Sequence, residues 1–217
     1  MSGGHGDSEP LEDMTIADCE AHWPVVSSAE LLRSRLVAIR SDKVRMPDGT
    51  VAERDVVIHP GAVAVLALDA SERVLLIRQY RHPTGRLLWE IPAGLRDVAG
   101  EPPWLTAQRE LLEEAGYRAR DWRVLADFFS SPGFSTERLR VFLARDLEEV
   151  PEDERDFVPE AEEASLVVGW LSLEEAIPKI FAGELHNGPA ITAILAGYAA
   201  RSQGFDRLRP ADAPEEQ

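Results

Sequence analysis

Residues 94–117 read GLRDVAGEPPWLTAQRELLEEAGY, from Gly94 to Tyr117, and they organise the rest of the chain. Most residues from Trp104 onward are good helix formers. Pro102 and Pro103 suit a first helical turn, where a missing N–H costs nothing, and Gly116 suits a left-handed end. Trp104, Ala107, Leu111 and Ala115 recur at i, i+3, i+7 and i+11, so this spacing predicts one apolar stripe turned to a core. Glu110, Glu113 and Glu114 fall on another face at i, i+3 and i+4, beside Arg109. Carboxylates that close repel by a few tenths of a kcal/mol per exposed pair, roughly. The plain reading is a solvated acidic face. The chemical reading is a seat for a hard divalent cation, Mg²⁺ or Mn²⁺, which takes oxygen ligands.

Glu101, seven intervening residues, then Arg-Glu-Leu-x-Glu-Glu-x-Gly-Tyr resembles the Nudix box, the signature of the Nudix hydrolases. All charged positions of the box are present. Six residues separate Gly94 from Glu101 where the family usually has five, and the extra one falls in the loop before the helix. The fold this resemblance implies is an α/β/α sandwich around a mixed β-sheet. The remaining chain fits that expectation, since strand-like and helix-like stretches interleave without internal repeats.

Upstream, Gly61–Leu68 (GAVAVLAL) and Arg73–Gln79 (RVLLIRQ) read as buried strands joined by a tight turn. Met46-Pro47-Asp48-Gly49 is a turn signal between two strand-like runs, which predicts a hairpin. Residues 19–58 therefore read as a small β appendage that precedes a hydrolase domain at 59–204. Residues 1–18 and 205–217 read as disordered tails. Downstream, Val124–Phe129 and Arg138–Ala144 read as strands, Asp146–Glu163 as an acidic loop, and Leu166–Leu171 as the last strand. Ser172-Leu-Glu-Glu opens one helix with a capping box, and Asn187–Ser202 is an Ala-rich second.

Composition bounds the partners. A net charge of −16 over 217 residues argues against docking on a nucleic-acid backbone. It leaves room for a small phosphorylated substrate neutralised by a metal. One cysteine, Cys19, leaves no intrachain disulfide to form. The longest apolar runs are strand-sized, so no membrane segment is expected and a cytoplasmic location is the simplest.

Pro132 lies sixteen residues past Gly116, where ADP-ribose-hydrolysing members of the family commonly carry proline. With Ile77-Arg78-Gln79-Tyr80-Arg81, Trp89-Glu90-Ile91-Pro92-Ala93-Gly94 and the DVAGEPP loop, it makes the chain similar to the actinobacterial ADP-ribose pyrophosphatases. That resemblance implies cleavage of ADP-ribose into AMP and ribose 5-phosphate, with metal held by Glu110, Glu114 and the Ala93 carbonyl. Another nucleoside diphosphate sugar, a dinucleotide such as NADH, or binding without turnover are the alternatives. Glu113 stands beside the ligands and Arg109 is expected to hold the carboxylates in place. A planar guanidinium fork suits phosphate, so Arg81 and Arg78 are candidates for the substrate's diphosphate. Glu90, Pro132 and Phe134 complete the candidate substrate contacts, Phe134 as one of several aromatics available to an adenine. Related enzymes draw a general base from the loop before the last core strand, which here offers Glu162 and Glu163 without a choice between them. The resemblance also implies a homodimer in which the appendage is exchanged across a two-fold axis.

Overall fold

A strand with no polar residue among its side chains has to be covered on both faces. In the computed structural model, which describes residues 16–155 and 166–215, that is the position of strand β4 (Ala62–Ala67), whose six residues are all buried. β4 pairs in parallel with β9 (Arg138–Glu149) and antiparallel with β7 (Ala93–Leu95). β8 (Tyr117–Phe129) and the two-residue β11 (Arg209–Pro210) complete a five-stranded mixed sheet in the order β11-β8-β9-β4-β7. A second, antiparallel sheet sets β5 (Arg73–Arg81) between β10 (Val167–Ser172) and β6 (Arg86–Glu90).

Strand alternation then sorts the core into two layers. Ala64, Leu66, Val141 and Leu143 meet α2 (Leu173–Phe181) and α3 (Gly188–Arg201) through Leu173, Ala176 and Ile194. Val63, Val65, Phe142 and Ala144 point the other way, onto Ala107, Leu111 and Ala115 of α1 (Pro103–Ala115). This is the mixed sheet between helices that the sequence predicts. The stripe on α1 is the expected one, with Trp104 half-buried at its rim. Pro103 opens the helix, and Gly116 closes it at φ 73°, its N–H reaching the Leu111 and Leu112 carbonyls. The capping box is also as expected: the Ser172 hydroxyl accepts from the Glu175 amide while the Glu175 carboxylate takes the Ser172 amide. Among the described residues no helix is long and apolar enough to cross a membrane.

The N-terminal strands β1 (Val25–Arg33), β2 (Ala38–Arg45) and β3 (Val51–Ile58) form a separate antiparallel sheet with β2 in the middle. The Pro47-Asp48-Gly49 turn joins β2 to β3: Gly49 donates to the Met46 carbonyl and Asp48 accepts from the amide and hydroxyl of Thr50. Every residue of β1 is exposed. At its far end, β3 is tied to the loop after β8, Val57 donating to the Phe134 carbonyl (2.8 Å) and accepting from Thr136 (3.0 Å).

Three sequence expectations need correction. β8 starts at Tyr117, directly after the helix, and β9 runs on to Glu149 where a loop from Asp146 was expected. The two extensions hold each other, Tyr117 opposite Glu149 and Ala119 opposite Leu147, so backbone pairing outweighs the polar composition. The segment 205–215 is not the disordered tail expected either. Phe205 is buried, β11 pairs with β8, and Arg140 donates to the carbonyls of Ala213 and Pro214. It follows that the Leu166–Leu171 region, observed as β10, is not the last strand. Of the expected N-terminal tail, residues 1–15 lie outside the described part, and Ile16 to Asp18 are exposed.

Candidate active site

α1 and β7 meet where the box predicts chemistry. A Cβ on Gly94 would fall 2.0 Å from the carboxyl carbon of Glu110, so only glycine lets that side chain lie against the β7 backbone. One turn later, Glu114 accepts a hydrogen bond from the Ala93 amide at 2.8 Å. Glu110 and Glu114 therefore flank the Ala93–Gly94 backbone, as the i, i+4 spacing directs.

Arg109 holds the outer side of the cluster. Its Nη1 donates to Glu110 (2.8 Å) and Glu113 (3.3 Å), its Nη2 to Glu101 (3.5 Å), and Asp97 stands at 4.0 Å. Thr106, buried in the first turn of α1, donates its hydroxyl to Glu101 at 2.7 Å. Burial pushes the Glu110 carboxyl up to about 7, against the pull of Arg109, and the charges of Glu113 and Asp97 push the same way as burial. One guanidinium among this many carboxylates leaves the site with a surplus of negative charge.

The donor set fits a hard divalent cation: anionic oxygens one helical turn apart, beside a backbone kept bare by Gly94. Glu110 is engaged by Arg109 and Glu114 by the Ala93 amide, and among the described residues no three Asp, Glu, His or Cys side chains already form a cage.

The other sequence candidates fall into separate groups. Arg81 and Glu90 face each other fork to fork, Nε to Oε1 at 2.9 Å and Nη2 to Oε2 at 2.7 Å, with Glu90 only 2% exposed. The chain leads from Glu90 straight through Ile91 and Pro92 into Ala93, which links this pair to the box. Arg78 lies over the ring of its cross-strand neighbour Trp89, 5.6 Å from the centroid. Pro132 and Phe134 sit in the loop that is bonded to β3, with Phe134 exposed. Glu162 and Glu163 lie outside the described residues.

Thr106, Asp97 and Gln79 escaped the sequence reading. Thr106 had a usable signal, a hydroxyl one turn into a helix that starts beside an acid. Asp97 had none, because its role depends on the path of the loop. Gln79 is buried on the strand that carries Arg81, and its side-chain oxygen has no partner among the described residues.

Comparison with known proteins gives concordant results. The NUDIX domain pattern matches residues 58–193, and the pattern of the nucleoside diphosphate sugar hydrolase N-terminal domain matches residues 23–57. The chain is 46% identical to an ADP-ribose pyrophosphatase of Mycobacterium tuberculosis, over 89% of this chain and 91% of that one. It is 34% identical to an ADP-ribose pyrophosphatase of Bacillus subtilis, over 85% and 91% respectively. A crystal structure of an ADP compounds hydrolase superposes with a TM-score of 0.70 at 22% identity, covering 87% of this chain and 99% of the other. The last match speaks for the fold.

Proposed function

The chain belongs to the Nudix family, and on that premise we propose that it hydrolyses the diphosphate of ADP-ribose to AMP and ribose 5-phosphate with a divalent metal, Mg²⁺ or Mn²⁺. The observation that carries the reading is the pair of carboxylates, Glu110 and Glu114, laid along the Ala93–Gly94 backbone. These two and the Ala93 carbonyl are the residues that would hold the metal. When bound, the metal supplies charge neutralisation at the diphosphate and a water of lowered pKa.

The chain's own residues do the rest. Arg109 bridges Glu110 and Glu113 and so fixes the direction of both carboxylates, a positioning role. Glu113 is the least enclosed box acid that Arg109 holds, and it would support a further ion directly or through metal-bound water. Arg81, aimed by the buried Glu90, is the better placed guanidinium for a substrate phosphate, because its partner removes rotamer freedom before binding. Arg78 on Trp89 and Phe134 beside Pro132 offer stacking surfaces for the nucleoside end. Glu162 or Glu163 would serve as general base.

A symmetric homodimer, with a cytoplasmic location, belongs to the same proposal. Val25, Val26, Leu31 and Leu32 are each at least half exposed on or beside an edge strand, and an apolar face of that kind calls for a cover. Light scattering should give twice the chain mass, and a monomer at micromolar concentration would remove the dimer from the proposal.

The test of activity is a product assay over ADP-ribose, other nucleoside diphosphate sugars and NADH, with Mg²⁺ and with Mn²⁺. ADP-ribose should give AMP and ribose 5-phosphate fastest. No turnover on the whole panel would favour a binding protein that kept the fold.

A further inference from the structure

We propose that the C-terminal segment from Arg209 to Glu215 is a positioning strap for the loop that precedes α1, acting through Glu215 on Arg96. The proposal rests on the hydrolase reading of the box and adds to it a residue remote in sequence.

The strap shares its seat with the box helix. Ala211 and Ala213 pack on the same apolar cluster that receives Ala107 and Leu111 of α1. Its path is fixed by a buried charge. Arg140 is 2% exposed, and its Nε and Nη2 bond Asp127 at 2.7 and 3.0 Å. Its Nη1 donates to the Ala213 carbonyl at 2.6 Å, and Nη2 also reaches the Pro214 carbonyl at 3.2 Å. A guanidinium has five N–H donors and no way to shed its charge, so a buried one needs these carbonyls. The strap is thus held by its backbone as well as by its two alanines.

The next residue is Glu215. Both its oxygens lie 2.9 Å from Nη1 of Arg96, with Arg140 3.8 Å away on the other side. Arg96 follows β7 directly, and its amide is bonded to the Gly61 carbonyl at 3.1 Å. Beyond it the chain passes to Asp97 and Glu101, the two loop acids within 4.0 and 3.5 Å of Arg109. Glu215 therefore grips the single covalent link between the Ala93–Gly94 backbone and the loop acids that meet Arg109. Loss of that grip frees the loop end of the cluster while leaving α1 on its apolar seat.

The experiment uses the full-length protein and Glu215→Ala, with Glu174→Ala as control, since Glu174 is an exposed acid of α2 that pairs with Arg201 of α3. Amide hydrogen exchange of the metal-free protein reads peptides over residues 93–102 against peptides over β8 and β9. Glu215→Ala should speed exchange in 93–102 several-fold and leave β8 and β9 unchanged, a local opening of one segment. In the ADP-ribose assay kcat should fall roughly tenfold with KM within about twofold, the pattern of misplaced groups and not of lost binding. Glu215→Gln, which keeps one acceptor for Arg96, should fall between. The control should move neither readout. Unchanged exchange in 93–102, a uniform rise over the whole domain, or faster local exchange with an unaltered kcat would each overturn the strap's positioning role. If the wild-type protein leaves ADP-ribose intact, the substrate reading fails and the exchange comparison still decides whether Glu215 holds the loop.

Discussion

Two clusters of ionised side chains lie on the α1 side of the central sheet, and they balance charge in opposite ways. Around Arg109, four carboxylates (Asp97, Glu101, Glu110 and Glu113) share one guanidinium. Around Asp127, three guanidiniums from Arg96, Arg140 and Arg209 share two carboxylates, the second being Glu215. The second cluster is complete as it stands: its most buried member has a partner on each nitrogen. The first has a surplus that burial makes costly, which is the condition of a site waiting for a cation. Complete partnering thus separates a cluster that holds the fold from one proposed to work on a ligand, although both are built from Arg and acid.

The largest effect should come from breaking the fully partnered cluster around Asp127. Asp127→Ala leaves Arg140 buried with carbonyls as its main acceptors, and about 3 kcal/mol of unfolding free energy should be lost. Denaturant titration measures it, and a loss below about 1 kcal/mol would class the pair with ordinary surface bridges and erase the contrast. In the surplus cluster the same kind of change should spare the fold and strike the rate. Glu114→Gln keeps an acceptor for the Ala93 amide and removes one anion, so turnover should drop by about 10²-fold, some 2.7 kcal/mol of barrier. The denaturation midpoint should hold or rise as repulsion is relieved. Wild-type rates in saturating Mg²⁺ would show that the surplus has no chemical use.

Gly94→Ala sharpens the same point without touching a charge. The new methyl would meet Glu110 at 2.0 Å, and that carboxylate, the far end of a flexible side chain, must swing away. Roughly tenfold should be lost from kcat, with near-native stability, because displacement of a catalytic group by about an ångström is enough. An unchanged rate would mean that Glu110 works equally well off the β7 backbone.

The smallest effect is a pH dependence confined to the cluster around Asp127. Burial raises the Asp127 carboxyl, but hydrogen bonds and charge from Arg140 and Arg209 outweigh it and hold the group below its ordinary value of 3.8. An acid with a depressed folded-state pKa contributes stability that is fully present above the unfolded value and is lost as pH falls through the folded one. Stability should therefore decline below about pH 4 more steeply in the wild type than in Asp127→Asn. Parallel acid limbs in the two proteins would place the acid sensitivity elsewhere.

The sequence disclosed those features whose cause is local. The stripe on α1, the left-handed Gly116, the turn at Pro47-Asp48-Gly49 and the Ser172 cap are each dictated by residues within a few positions of one another. The carboxylate pair of the site belongs here too, since helical spacing alone puts Glu110 above Glu114. What stayed hidden depends on partners far along the chain. Asp146–Glu149 look like loop until Tyr117–Ala119 pair with them. The segment after Phe205 looks unstructured because carbonyl groups anchor it, and every residue type has a carbonyl. The Arg81–Glu90 fork was hidden for a like reason, as nothing in either residue names the other before β5 and β6 are laid side by side.

The parallel pairing of β4 with β9 has a consequence for how the protein is born. Ala62 lies beside Leu139 and Ala67 beside Ala144, so the two strands that seat α1 are separated by the whole of the box and all of β5 to β8. Closing so long an intervening loop costs entropy before any contact repays it, and such pairings form slowly. On a ribosome, the apolar stripe of α1 is made before Phe142 and Ala144 exist to cover it, and Glu215 emerges later still. The nascent chain therefore carries a finished carboxylate helix with only the β4 half of its seat. The site can take its final shape only when the last strands and the strap arrive.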